Sequence, residues 1–330
     1  MFDVLTSPLM LRALIAAAVT GLAAPTVGTY LVQRRLSLLG DGIGHICVTG
    51  VALGLLTGTS PTFAAIVIAI AGALVIELIR SSGKATGDVA LALLFYGGIA
   101  GGLVLVSMAG NGAYALQGYL FGSITAISWA DVAVSVALAA AVLVLALTLL
   151  PQLFAVANDE DFARTSGLQV RFYNVLISVL AAVSVSVAMR TVGLLLVSAL
   201  MIIPVATSQQ FARSFRVTMF AAMAAGTIAA LTGVTATAFM DAPPGPMIVL
   251  VALAGFALTA PIGVFVQRRR KARIPFAADP GELEESPVTE PHGHDHGPGC
   301  GHLAVEHGDH VDYIHDGHRH AVHGGHYDEH

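Results

Sequence analysis

Charge is scarce in this 330-residue chain: Asp, Glu, Lys and Arg make up 11% of it, against 55% hydrophobic residues and a mean hydropathy of +0.77. Soluble domains run near a quarter charged, so a water-soluble globule is excluded. Cysteine is almost missing, with only Cys47 and Cys300, which rules out a disulfide scaffold. A phosphate-binding loop is missing too, because Gly83-Lys84 lacks both the upstream glycine and the following Ser or Thr. The chain is therefore not expected to be an enzyme, and any ATP-driven motor is another polypeptide. No basic leader precedes the first apolar run, so the first span is expected to do the targeting. Histidine is absent from most of the chain: His45 stands alone in the body, and the other twelve lie beyond residue 273.

Apolar runs are what the chain has in abundance. A membrane-crossing helix needs roughly 20 mostly apolar residues. Such stretches fall at about 9–33, 42–58, 61–79, 88–109, 131–150, 173–190, 192–212, 217–240 and 246–267. The 42–58 stretch is the weakest, being short and glycine-rich, so the pattern predicts eight or nine spans. The expected fold is an all-α polytopic transmembrane bundle. Its boundary falls where the charge balance turns: residues 1–273 hold nine acidic and fifteen basic residues, and 274–330 hold twelve acidic and one basic. Residues 1–273 are thus the membrane domain and 274–330 an acidic, His-rich tail.

Alternate connections and the end of the last span collect thirteen basic residues, from Arg34 and Arg35 to Arg273, against Arg12 and Arg190 on the other side. The positive-inside rule puts the basic side in the cytoplasm, with the N-terminus outside and the tail inside. Residues 110–130 are apolar for an external loop, with Tyr114, Tyr119, Phe121 and Trp129, and suit a re-entrant or interfacial helix. Residues 151–172 carry Asn158-Asp159-Glu160-Asp161 ahead of Phe162, Ala163 and Gly167. That pattern reads as a capped surface helix or as a solvated loop.

Ionisable groups inside a membrane are costly and usually tied to a pathway. Asp3, Glu77, Asp88, Asp131 and Asp241 fall near span ends, where water or headgroups can solvate them. Asp41 and His45 are different, four residues apart on one face of a helix. A carboxylate and an imidazole there make half of a first-row divalent metal site. The alternative is a carboxylate at a helix N-terminus beside a histidine satisfied by a carbonyl. Cys47 lies on a different face and is expected to be packing.

The tail places His292, His294, His296, His302, His307, His310, His315, His318, His320, His323, His326 and His330 among Asp, Glu and Gly. This composition predicts a disordered segment that buffers a metal such as zinc, nickel or copper. A purification tag would be a contiguous run, so the spacing separates this segment from one.

The run Arg34-Arg35-Leu36-Ser37-Leu38-Leu39-Gly40-Asp41-Gly42-Ile43-Gly44-His45 resembles the RR-x-S-x-x-GD-x-x-x-H signature of zinc/manganese-type ABC transporter permeases, the ZnuB-like family. Tyr119-Leu120-Phe121-Gly122-Ser123 is similar to that family's YLFG segment, although Ser123 stands where relatives often carry a carboxylate. Met189-Arg190-Thr191-Val192-Gly193 with Leu200-Met201-Ile202-Ile203-Pro204-Val205-Ala206-Thr207 resembles its VG…LLIIPAAT helix. Asp241-Ala242-Pro243-Pro244-Gly245-Pro246 looks like its D-x-P-x-GP turn. The matches run in order over roughly residues 9 to 267.

The resemblance implies a homodimeric permease in a bacterial plasma membrane, served by cytoplasmic ATPase subunits and an extracytoplasmic metal-binding protein. It implies that 158–172 is the ATPase-coupling helix, with Asp159, Glu160, Asp161, Ala163 and Gly167 in that role. Asp41 and His45 correspond to the metal-pathway pair, and Asp241 to an external turn that helps receive metal. The transported ion is expected to be zinc, with manganese or iron as alternatives, and no permanently bound cofactor is expected. A gradient-driven metal transporter, a membrane-anchored metal buffer and a metal-chelate permease are the rival readings.

Overall fold

The computed structural model describes residues 7–81, 87–109, 112–123, 125, 127–189, 192–194, 196–240, 242–271, 299–307, 310–315, 318–323 and 326–329. The chain forms two compact units, residues 1–266 and 267–330. In the first, the described residues form helices α1 (Pro8–Gln33), α2 (Leu39–Thr57), α3 (Pro61–Ser81), α4 (Gly87–Met108), α5 (Gly112–Phe121), α6 (Trp129–Thr148), α7 (Leu150–Asn158), α8 (Glu160–Thr165), α9 (Val170–Ala188), α10 (Val197–Gln209), α11 (Phe215–Thr237) and α12 (Pro244–Lys271), the last running into the second unit.

Eight of these are long and apolar enough to cross a membrane, and α10 is a shorter apolar helix. The stretch at 42–58 is a full-length helix after all, and the short member is α10, inside the 192–212 run. Residues 192–194 are not helical, and the Leu194 amide goes to the distant Tyr119 carbonyl, which shortens the helix that follows.

Starts are marked by local chemistry. Ser7 caps α1 ahead of Pro8, and Ser214 caps α11. Ser128 and Asp131 make a reciprocal capping box on α6, so Asp131 is structural. Depth follows burial: 72% of the apolar window of α2 is buried, and 61% in α1 and α9, against 17% in α12. α2 is thus the central helix, packed on α3 and α4, while α1 packs on α11, α10 and α6. The Tyr30 hydroxyl of α1 donates to the Ala146 carbonyl of α6 at 2.6 Å, tying those helices across the core. Cys47 is fully buried among apolar side chains, as its position suggested. Leu93, Leu103, Val104 and Leu258 face outward, as helices with lipid for solvent require.

The second unit differs from the expectation of a wholly disordered tail. Residues 303–329 hold a four-stranded antiparallel meander: β1 (Leu303–His307), β2 (His310–His315), β3 (His318–His323) and β4 (His326–Glu329). Composition hides the reason. Val305, Val311, Tyr313, Ile314 and Val322 are strand formers, set between dipeptides of the hairpin-turn type. Asp312 and His320 are buried in it, and Arg319 lies 4.0 Å from Asp312. His292, His294, His296 and His330 lie outside the described residues, as do Asp3 and Asp241.

Candidate metal-transit site and coupling loop

α2 begins at Leu39 without a side-chain cap, and Asp41 occupies its first turn, where the helix dipole favours a carboxylate. His45 follows one turn later on the same face. Asp41 is half-buried and His45 is 8% exposed. Ser198, in the first turn of α10, donates its hydroxyl to Asp41 Oδ1 at 3.1 Å. The His45 ring meets Phe95 of α4 edge-on, with centroids 4.0 Å apart and planes at 72°. Beside Asp41 opens a cavity of about 260 Å3, lined by Leu38, Gly42, Leu91, Ala92, Phe95 and Tyr96.

α4 reaches this position only because Gly98 has no side chain. A Cβ there would stand 2.8 Å from the carbonyl oxygen of His45 and the amide nitrogen of Ile46. Thr49 Oγ1 also donates to the Gly98 carbonyl at 2.7 Å. The glycine seam therefore fixes the helix that carries the imidazole.

Segments far apart in sequence meet at the same place. The Leu194 amide donates to the Tyr119 carbonyl at 2.9 Å, and Gly193, at φ +89°, packs on the backbone of Leu120, Phe121 and Gly122. Gly245 packs on the Val192 and Phe121 carbonyls, and the Leu194 carbonyl lies against Gly44, between Asp41 and His45. The motifs around Tyr119, Val192 and Gly245 thus converge on the start of α2. Ser123 shares a hydrogen bond with Thr125 at 3.0 Å.

The arrangement offers one carboxylate oxygen face and one imidazole, a mixed donor set suited to first-row divalent cations. Among the described residues no group of three or more His, Cys, Asp or Glu is assembled to hold a metal.

The second polar cluster is built around the short helix α8. Asp159 caps it, accepting from the amides of Asp161 at 3.0 Å and Phe162 at 2.9 Å. Glu160 turns inward. Its Oε1 accepts from Arg34 at 2.8 Å, Asn174 Nδ2 at 3.1 Å and Arg80 at 3.4 Å. Arg80 also pairs with Glu77 at 3.0 Å, and Gln33 donates to Asn158 at 2.8 Å. Burial works to raise the Glu160 carboxyl, but Arg34, Arg80 and the Asn174 and Arg34 hydrogen bonds outweigh it and hold it below the usual range. Ala163 is fully buried, and Gly167 ends the segment in the left-handed region at φ +82°. Phe162, Asp161 and Arg164 face solvent.

Of the residues read from sequence, Asp41 and His45 are together, and Asp159, Glu160, Asp161, Ala163 and Gly167 form one small unit. Sequence reasoning missed Ser198, Phe95, Asn174 and the roles of Arg34 and Arg80. Arg80 was legible only as a marker of sidedness, and Arg34 as that and as the first residue of the RR-x-S signature.

A profile of the ABC 3 transport family matches residues 6–262. The chain is 30% identical over 263 residues to the manganese import system permease protein ScaB of Streptococcus gordonii, covering 79% of this chain and 94% of that one. It is 26% identical over 254 residues to the high-affinity zinc uptake system membrane protein ZnuB of Haemophilus influenzae, covering 76% and 96%. Among solved structures it is similar to PsaBC from Streptococcus pneumoniae, bound there to a Fab, with a TM-score of 0.73 at 30% identity over 81% of this chain and 98% of that one. The chain belongs to the ABC 3 transport family, and its fold is that of the metal-type ABC permeases.

Proposed function

We propose that this ABC 3 family permease imports a divalent transition metal, zinc in preference to manganese or iron, past Asp41 and His45. The observation that carries the reading is the pair itself: a carboxylate and an imidazole one turn apart, beside a cavity and at the meeting point of three family motifs. Two ligands from each of two chains across a two-fold axis complete a coordination shell without making it too tight to release. Zinc is favoured by the imidazole and by the His-rich tail, since manganese prefers oxygen-rich sites. The names of the relatives are mostly of manganese systems, with zinc and chelated iron also among them, so the cation is tested directly.

In this reading the chain works as a homodimer in a bacterial plasma membrane, N-terminus outside and tail in the cytoplasm. An extracytoplasmic binding protein delivers the ion, and ATPase subunits dock on α8. Exposed Phe162 and Asp161 meet the ATPase, while Asp159, Ala163 and Gly167 hold the shape of the segment. Glu160 transmits displacement of α8 to α1 through Arg34 and to α3 through Arg80.

The test is ATP-dependent zinc uptake into vesicles holding the chain with its ATPase and binding protein, with manganese as competitor. Asp41→Ala and His45→Ala each lower uptake at least about a hundredfold, since loss of a mere supporting partner already costs 10–100-fold. A chain stopped at Arg273 keeps uptake. Full uptake in both point variants overturns the transit site, and manganese outcompeting zinc overturns the choice of cation.

A further inference from the structure

The turn that ends α1 carries an arginine where the backbone favours glycine. The Leu36 amide donates to the Leu31 carbonyl at 2.8 Å, and the Arg35 amide to the Val32 carbonyl at 3.0 Å. Those two bonds make the Schellman ending of a helix, whose left-handed residue is usually glycine because a Cβ is costly there. Arg35 takes that position at φ +57°, and among the described residues no other non-glycine residue has a positive φ. Glycine would close the turn without the cost, so a side chain kept here indicates a use outside the turn.

Arg35 is exposed and lines a cavity of about 430 Å3 together with Gln33, Arg34, Arg80, Asn158 and Glu160. Arg34 is the buried member: its side chain is 2% exposed, Nη2 donates to Glu160, and Nη1 has no acceptor. A buried guanidinium nitrogen left without an acceptor is costly and rare. Arg80 is already engaged by Glu77 and Glu160. Among the described residues, three guanidinium groups thus stand against two carboxylates, Glu160 and Glu77, which leaves one positive charge. One carboxylate cancels it, whereas a phosphate dianion overshoots. The walls are polar apart from Val156 and Ala157, both buried, so they offer no apolar track for an acyl chain.

We infer that this cavity receives a carboxylate side chain from the ATPase subunit, held by Arg35 at the surface and by Arg34 beneath it. A guanidinium fork matches a carboxylate in shape as well as in charge. The inference rests on the reading that the ATPase docks on α8, and it adds a second contact to that interface. Glu160, the first residue of α8, belongs to the same cavity wall. An acidic side chain seated there touches the ion pair that joins α8 to α1, so movement of the ATPase reaches α1 directly as well as through α8.

The experiment measures binding of the ATPase subunit to the full chain in lipid nanodiscs, without metal or extracytoplasmic binding protein. Arg35→Gly is expected to weaken binding about fivefold and Arg35→Glu at least about tenfold, both losses shrinking at high salt. Because glycine suits the left-handed position, Arg35→Gly leaves the unfolding temperature unchanged or raises it. The Arg35→Glu chain is then paired with ATPase variants in which single surface carboxylates are reversed to arginine, and one of them is expected to restore binding. Undiminished binding in both Arg35 variants overturns the proposal and leaves docking on α8 standing. A lowered unfolding temperature in Arg35→Gly makes the side chain structural and overturns it too, as does failure of every reversal to restore binding. Nanodiscs with and without acidic phospholipid run in parallel, and a loss seen only with acidic lipid gives the cavity to a headgroup and overturns the ATPase assignment. No binding by the wild-type chain overturns the docking reading and this inference with it.

Discussion

The membrane unit holds two polar clusters, and they are satisfied to very different degrees. Around Glu160, two guanidinium groups and an amide converge on one carboxylate oxygen, and the second arginine has Glu77 as well. Around Asp41, one hydroxyl among the described residues reaches the carboxylate, and the His45 ring meets the Phe95 ring edge-on. Removing one partner of a buried charge pair is strongly destabilising, because the other is stranded. A cluster that serves structure therefore gathers several partners on one charge. One that serves a passing ion keeps part of its ligand capacity unspent.

The contrast is sharpest when one charge is removed from each cluster. Glu160→Ala strands Arg34, whose side chain is only 2% exposed, while Glu160 itself is 38% exposed. The cost is about 1–3 kcal/mol, discounted for that exposure from the 3–5 of a fully buried pair. Thermal unfolding in detergent should report it, and ATP hydrolysis should uncouple from uptake. Asp41→Asn strands no cation found among the described residues, so the unfolding temperature stays within a few degrees while uptake is lost. Equal destabilisation by the two substitutions would break the comparison.

Acid sharpens it further. Glu160 is held below its ordinary range in the folded state, so its contribution is complete above the unfolded carboxylate value of roughly 4.3 and is lost as pH falls through the lower folded value. Wild type should therefore lose stability in a limb below about pH 4 that Glu160→Gln lacks. Matching profiles for the two proteins would show that the ion pairs hold nothing.

How much of this could be read from letters depends on distance along the chain. The spans were legible because apolar length is a local property, and the starts and ends of α1, α3 and α4 fall within a few residues of the runs. The pairing of Asp41 with His45 was legible because helical spacing fixes it. Glu160 with Arg34 and Arg80 was not, since those contacts span 126 and 80 residues. Shortening of α10 was hidden for the same reason: it follows from Leu194 bonding to Tyr119. In the tail, histidine counted as a polar residue masks the strand alternation that Val311, Tyr313 and Ile314 belong to. Register, which decides what the histidines face, is a property of pairs of strands.

The smallest expected effect concerns the hydroxyl that reaches Asp41. Ser198→Ala removes one hydroxyl to a half-buried carboxylate. A hydrogen bond to a charged group contributes about 1.5–3 kcal/mol when buried. Exposure to the adjacent cavity brings the loss in stability toward the lower end. Its main consequence is rotational: without the hydroxyl, the carboxylate is no longer held in one orientation relative to His45. Loss of an orienting partner costs metal sites about 10–100-fold in affinity or activity, and a single hydroxyl sits near tenfold. Zinc uptake by Ser198→Ala should therefore fall about tenfold through a raised half-saturation concentration with the maximal rate retained, and Ser198→Thr should recover it. A fall in maximal rate alone would mean that Ser198 acts on the motion of α10 and leaves the carboxylate to orient itself.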